Sequence, residues 1–151
     1  MKSICIYILF FTSCLVKAQS ENINIQNSFG AAGYDLVSYF EGKASKGSDK
    51  YLYTYEGIDF RFSSNVNLDK FKNNSSKYLP QYGGWCAYAM ATTGKKVTIN
   101  PKRFEVRDAK LFLFYDAYFN NTYEEWIEEG PEKLKIKADK NWIEVLKRNS
   151  R

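Results

Sequence analysis

The sequence predicts a small α+β domain, with a small antiparallel sheet built from two hairpins, a short helix that bears a cysteine, and C-terminal helices. Two observations support this fold class. Alternation typical of strands comes earlier in the chain, and helical periodicity dominates its last third. With 151 residues, the chain also suits one domain with one core.

Both hairpins are predicted from alternation on either side of a short turn. Residues 51–55 alternate large side chains with others, Glu56 and Gly57 can turn, and residues 58–62 alternate again. Residues 104–107 and 110–115 flank Asp108 and Ala109 in the same way.

Helices are predicted in four places. Ser63 or Ser64 can cap a helix that runs to about Asn73, and the apolar, alanine-rich residues 85–91 follow two glycines. Helical patterns then cover residues 117–130 and 131–148, with Pro131 suited to a first turn. Residues spaced by four in the last helix are expected to form one buried stripe: Leu134, Ala138, Trp142 and Leu146.

The first 18 residues are predicted to be a secretory signal peptide. Lys2 supplies the positive start, residues 4–16 form an apolar run, and Ala18 suits the cleavage position. The run is shorter than the roughly 20 apolar residues that span a bilayer, and no later segment could span one. The alternative is a lipoprotein signal that ends at Cys14. We expect a periplasmic or secreted protein with a flexible leader, residues 19–30, and a single domain, residues 31–148.

Composition excludes several classes of function. Without Lys2 and Lys17 the mature chain carries 20 basic and 17 acidic residues, a balance that does not indicate a nucleic-acid partner. The chain has no histidine, which excludes Ser-His-Asp and Cys-His catalysis within one chain. Cys5 and Cys14 leave with the signal, so Cys86 cannot form an intramolecular disulfide.

The segment around Cys86 is the candidate site. Gly83 and Gly84 allow unusual backbone angles and would place Cys86 at a helix N-terminus, where a thiolate is stabilised. Against this, free cysteines are often buried and act as small hydrophobes. The candidate pocket and binding residues are Tyr34, Asp35, Tyr82, Gly83, Gly84, Trp85 and Tyr88, although an aspartate such as Asp35 is more commonly a turn or helix cap.

Met90 lies four residues after Cys86, so the two would share one face of a helix. Two soft sulfur ligands suit Cu(I) or another soft metal ion. The same spacing is also typical of two core residues.

Several stretches along residues 31–147 carry a family resemblance. The most specific is Tyr-Gly-Gly-aromatic-Cys-Ala-Tyr-Ala, at residues 82–89. With Phe71 and residues 33–40, 42–44, 46–48, 55–57, 62–64, 78–81, 110–113 and 138–142, it resembles exported bacterial YHS domain-containing proteins.

This resemblance implies two things about chemistry. Short YHS domains occur in copper-transporting ATPases and some monooxygenases, and many are thought to bind metal through a Phe-Cys-Ser-x-x-Cys-x-x-x-Phe core. Here Ser63 and Asn67 stand at the cysteine positions, so that metal site is not carried over. Some exported members place selenocysteine at the position of Cys86, which implies a reactive centre there.

Three hypotheses follow from the sequence. The first is a redox-active or ligand-capturing thiol at Cys86, which needs an accessible side chain and, for a disulfide cycle, a second thiol or a small molecule from outside the chain. The second is a soft-metal module, with copper held by Cys86 and Met90. The third is a non-catalytic binding or structural domain with Cys86 buried. The sequence does not decide whether the protein is an enzyme.

Overall fold

The computed structural model describes residues 22–150. The predicted signal peptide, its cleavage position and the alternative lipoprotein site at Cys14 lie outside the described residues. Within residues 22–150, no helix combines the length and the apolar character needed to cross a bilayer.

The described strands pair into four separate two-stranded antiparallel sheets. The two longer hairpins correspond to the two predicted ones. They are β3 (Ser48–Tyr55) with β4 (Ile58–Phe62), and β5 (Asn100–Arg107) with β6 (Lys110–Phe114). Two short ribbons accompany them: β1 (Ile25–Gln26) with β2 (Phe29–Gly30), and β7 (Asp116–Ala117) with β8 (Asn120–Asn121).

Six α-helices lie within the described residues, so the α+β prediction is confirmed. Two 3₁₀ turns, Ala31–Gly33 and Gln81–Gly84, connect elements. The helices are α1 (Leu36–Phe40), α2 (Asn65–Asn73), α3 (Ser75–Tyr78), α4 (Ala87–Thr93), α5 (Thr122–Glu129) and α6 (Pro131–Asn149).

Helix starts follow the local sequence. Ser64 caps α2 because its Oγ accepts a 3.1 Å hydrogen bond from the backbone N–H of Asn67, and Pro131 occupies the first turn of α6. Both agree with the sequence. Asn121 caps α5 by accepting from the backbone N–H of Tyr123 at 3.3 Å.

Strand β6 separates two hydrophobic clusters. Its side chains alternate, so Leu111 and Leu113 pack into one cluster while Phe112 and Phe114 pack into the other. We call the first the Phe71 cluster. The ring of Phe71 lies at its centre, with its centroid 5.0 Å from that of the Phe62 ring. The second, the Trp126 cluster, joins α4 and α6 to β6. These four residues are all buried, which explains the continuous apolar run.

The predicted flexible leader is wrong for its described part. Residues 25–30 form the β1–β2 ribbon, and Asn24 is buried. The backbone N–H of Asn24 donates to the carbonyl of Gly83 at 2.8 Å, and its Nδ2 donates to the carbonyl of Gly84 at 3.0 Å. The segment is polar in composition because its amide groups pair with backbone on the domain.

Two predictions on the C-terminal part also need correction. Residues 117–121 are not helical, because the β7–β8 ribbon precedes α5. The stripe of residues spaced by four is buried only at its start: Leu134 and Ala138 are fully buried, Trp142 is half-buried and Leu146 is exposed. A four-residue step turns about 40° past one helical turn, so Leu146 has rotated about 120° from Leu134 and Val145 takes the buried place.

Candidate functional site

Cys86 lies at the N-cap of α4, with non-helical backbone angles of φ −56° and ψ 118°. The preceding turn places Tyr82, Gly83 and Gly84 at positive φ values of 55°, 61° and 80°. The backbone N–H of Cys86 donates to the carbonyl of Val97 at 2.9 Å. The two glycines therefore allow a tight turn immediately before Cys86, as the sequence predicts.

Three groups surround the sulfur of Cys86. Its Sγ accepts from the backbone N–H of Tyr115 at 3.3 Å and from that of Ala89 at 3.5 Å, and it lies 3.3 Å from Oγ1 of Thr122. The Thr122 hydroxyl donates its only proton to the carbonyl of Tyr115, at 2.7 Å. The Cys86 thiol is therefore the donor to Thr122. The side chain is fully buried, so the accessible thiol that the first hypothesis requires is not observed.

Cys86 and Met90 do not form a shared ligand face. Cys86 is the N-cap residue, with non-helical backbone angles, whereas Met90 lies inside α4. Cys86 packs in the Phe71 cluster and Met90 in the Trp126 cluster. Among residues 22–150 there is also no group of three or more Cys, Asp or Glu side chains placed to hold a metal ion. These residues do not fit a soft-metal site.

Asp35 is a helix cap and part of a buried hydrogen-bond cluster. Its Oδ1 accepts from the backbone N–H groups of Val37 and Ser38, at 2.9 and 3.3 Å. Its Oδ2 accepts from the backbone N–H and the hydroxyl of Ser63, at 2.9 and 2.5 Å, and from Nδ2 of Asn67 at 2.8 Å. Ser63 and Asn67, at the positions that the resemblance aligns with metal-binding cysteines, thus both bind one carboxylate.

A groove of about 540 Å³ is lined by part of the glycine turn that precedes Cys86. We call it the Tyr82 groove. One wall is the turn that contains Pro80, Tyr82 and Gly83, and α6 supplies another wall. The β3–β4 hairpin and the first described residues complete it. Its remaining principal lining residues are Ile23, Glu56, Ile58, Phe60, Asp139, Trp142, Ile143 and Leu146.

Tyr82 anchors the groove to α6. Its hydroxyl donates to Oδ1 of Asp139 at 2.9 Å, and its ring lies edge-on to that of Trp142 with centroids 6.3 Å apart. Burial, and then the Asp139 hydrogen bond, raise the pKa of Tyr82 well above the ordinary value of 10.0. Lys135 donates to the other Asp139 oxygen at 2.7 Å.

Gly83 permits the close approach of the groove walls. A Cβ at this position would overlap the carbonyl oxygen of Asn22 and lie 3.3 Å from Cη2 of Trp142. The same Asn22 carbonyl accepts from Nε1 of Trp85 at 3.0 Å. Trp85 thus binds the segment that precedes β1, and it lines neither of the two pockets.

A second pocket, of about 400 Å³, is lined by neighbours of Cys86 but not by Cys86 itself. We call it the Tyr88 pocket. Ala89, Tyr115 and Thr122 all line it, and these are the three residues that contact Sγ. The Tyr88 hydroxyl donates to Glu129 at 2.6 Å, which, ahead of burial, raises its pKa to about 12.

The predicted site residues therefore divide among several places. Tyr82 and Gly83 line the Tyr82 groove, and Tyr88 lines the Tyr88 pocket. Gly84 is buried against Asn24 and Pro80, Asp35 binds α1 and α2, and Tyr34 bridges to Lys46. This division could not be predicted from the sequence, because the position of each side chain depends on how distant elements pack.

Comparison with known proteins leaves the family open. No protein-family model, curated protein or solved structure matches the chain. The resemblance to exported YHS domain-containing proteins remains a prediction. The candidate site is therefore argued from the geometry of this chain alone.

The groove residues of α6 were not predicted. Asp139, Trp142, Ile143 and Leu146 share the groove. The sequence did carry one signal, because this helix has more apolar residues than one buried stripe requires. In the structure Ile136, Ile143 and Leu146 are 71%, 52% and 39% exposed.

Proposed function

We propose that the protein is a non-catalytic binding domain that takes a small, largely apolar molecule in the Tyr82 groove, with Cys86 as a buried structural thiol. The observation that carries this proposal is the groove itself, which gathers apolar side chains from four separate parts of the chain, including the aromatic rings of Phe60, Tyr82 and Trp142. Its volume falls in the range of about 300–1,000 Å³ that is typical of small-molecule sites.

The groove has the fixed walls that binding favours. Tyr82 is tied to Asp139, and the Asn22 carbonyl is held by Trp85. Because these contacts exist before a ligand enters, little ordering of the walls would be needed on binding. A few polar groups among apolar ones would orient the ligand.

The surroundings of Cys86 support a structural role. The thiol donates one hydrogen bond and accepts two, and no part of the side chain reaches solvent. A sulfur in this position serves as a helix cap and as packing volume.

The test is binding of the neutral fluorescent probe N-phenyl-1-naphthylamine to the purified protein. Ile143→Lys introduces a charge at the groove wall and should weaken binding at least about tenfold. Ile136→Lys is the matched control, since Ile136 is on the same helix, is more exposed and does not line the groove. Absence of probe binding, or equal loss in both variants, would refute the proposal.

A reactive thiol is the second candidate, favoured by one specific observation. Two backbone N–H groups point at the Cys86 sulfur, and its three contact residues line the Tyr88 pocket. A small electrophile in this pocket would reach the sulfur if Thr122 swung aside.

Alkylation by iodoacetamide separates the two candidates. A structural thiol should react at least about 100-fold more slowly in the native protein than in urea. Native reactivity close to the unfolded rate, lost when a ligand fills the Tyr88 pocket, would replace the binding proposal with the thiol one.

A further inference from the structure

We propose that the Tyr82 groove selects a hydrophobic cation, an amine or quaternary ammonium group carried on an aliphatic or aromatic body. This inference rests on the proposed binding function and adds the charge of the ligand to it.

The charged side chains of the groove are of one sign. Glu56 and Asp139 line it, and no lysine or arginine does so among the described residues. The whole chain carries a formal net charge of +5, so this acidic lining runs against its overall composition. A cation in the groove would be attracted by both carboxylates, and an anion of the same shape would be repelled.

In the part of the chain that the structure describes, Glu56 is the carboxylate of the groove that has no ion pair, although it is exposed at its turn. Asp139 is partly balanced, because Lys135 forms an ion pair with it at 2.7 Å. Within residues 22–150, Glu56 forms no ion pair with a lysine or arginine. It lies at the β3–β4 turn, where that turn meets the groove.

The aromatic walls favour the same ligand class. The half-buried ring of Trp142 lines the groove and lies edge-on to the buried ring of Tyr82. The face of an indole ring attracts ammonium groups, and tryptophan is the strongest side chain in this respect. Ile143 and Leu146 supply contact for the apolar body of the ligand.

The experiment compares octyltrimethylammonium with octyl sulfate as competitors for bound N-phenyl-1-naphthylamine, at low ionic strength. The two probes share a tail and differ in the sign of the head group. We expect the ammonium compound to compete about tenfold more tightly, and the ratio to shrink as salt is raised from 0.05 to about 0.5 M.

A matched pair of variants assigns the effect to the groove. Glu56→Gln should lower the cation-to-anion ratio about threefold or more. Glu128→Gln removes the same charge from an exposed residue of α5 that does not line the groove, and should leave the ratio unchanged.

The outcomes distinguish this inference from the function on which it rests. One outcome is that the neutral probe binds and Ile143→Lys weakens its binding, but the two octyl compounds compete equally. The proposed binding function is then supported and the inferred preference for cations is wrong. An equal change of the ratio in both glutamine variants also overturns the inference. If the neutral probe does not bind at all, the proposed function and the inference fail together.

Discussion

Nδ2 of Asn67 donates a 2.8 Å hydrogen bond to Oδ2 of Asp35 and so joins the start of α2 to the start of α1. The Asp35 carboxylate is fully buried and has no lysine or arginine partner among the described residues. Five N–H and O–H donors and two helix N-termini compensate its charge instead.

Removal of this carboxylate should therefore be costly. Asp35→Ala leaves several buried donors without an acceptor, and we expect it to lower the free energy of unfolding by about 3 kcal/mol or more. Asp69→Ala, in α2, removes only an exposed contact to Asn65 and should cost less than about 0.5 kcal/mol. Urea unfolding of the two variants measures the difference, and similar losses would contradict the structural role of Asp35.

Gly83→Ala should both destabilise the fold and weaken probe binding in the Tyr82 groove. The new Cβ would overlap the Asn22 carbonyl at a positive φ of 61°. Gly42→Ala is the matched control, since Gly42 has a φ of 77° but no neighbouring atom within 4 Å. We expect the control to cost about 1 kcal/mol from backbone strain alone and Gly83→Ala to cost clearly more. Unfolding midpoints and the probe dissociation constant report the two effects, and equal behaviour of the variants would show that crowding at Gly83 is unimportant.

Tyr82 should make the protein less stable at high pH. Its pKa is raised in the folded protein, so above about pH 10 the unfolded chain loses a proton that the folded chain retains. The stabilisation is thus complete below pH 10 and is lost as the pH rises further. In Tyr82→Phe, the fall of the unfolding free energy above pH 10 should be less steep than in the wild type.

Guanidinium unfolding between pH 7 and pH 11 checks this expectation. Below pH 9 the variant should differ from the wild type by a constant of about 1 kcal/mol, from the lost hydrogen bond to Asp139. Parallel curves above pH 10 would contradict it. The unfolding free energy of both the wild type and the variant still falls above pH 10, because burial raises the pKa of Tyr39 as well.

The cap formed by Cys86 can be tested with two substitutions. A serine hydroxyl can accept from the same backbone N–H groups, so Cys86→Ser should cost about 1 kcal/mol, mainly from poorer packing. Cys86→Ala removes the acceptor altogether and should cost about 2 kcal/mol. Thermal or urea unfolding measures both, and an alanine variant as stable as the wild type would show that the sulfur does not act as a cap.

Much of the local structure could be predicted from the sequence. The two hairpins were found because alternation with period two and turn residues are properties of a few consecutive positions, as in the pairing of Tyr55 with Ile58. The cap at Ser64 and the start of α6 at Pro131 are equally local. The ribbon at residues 116–121 was missed because its strands have two residues each, too few to show a period.

The sequence by itself determined the α+β class, the lack of histidine chemistry and the single thiol of the described part, Cys86. Only the tertiary structure decided what surrounds that thiol: Tyr115 and Thr122 come from 29 and 36 positions further along the chain. It alone also brought Tyr82 to Asp139, 57 positions apart, and Gly83 to the Asn22 carbonyl. The physical reason is that periodicity and capping act over a few residues, whereas burial and cavities depend on which faces pack against each other.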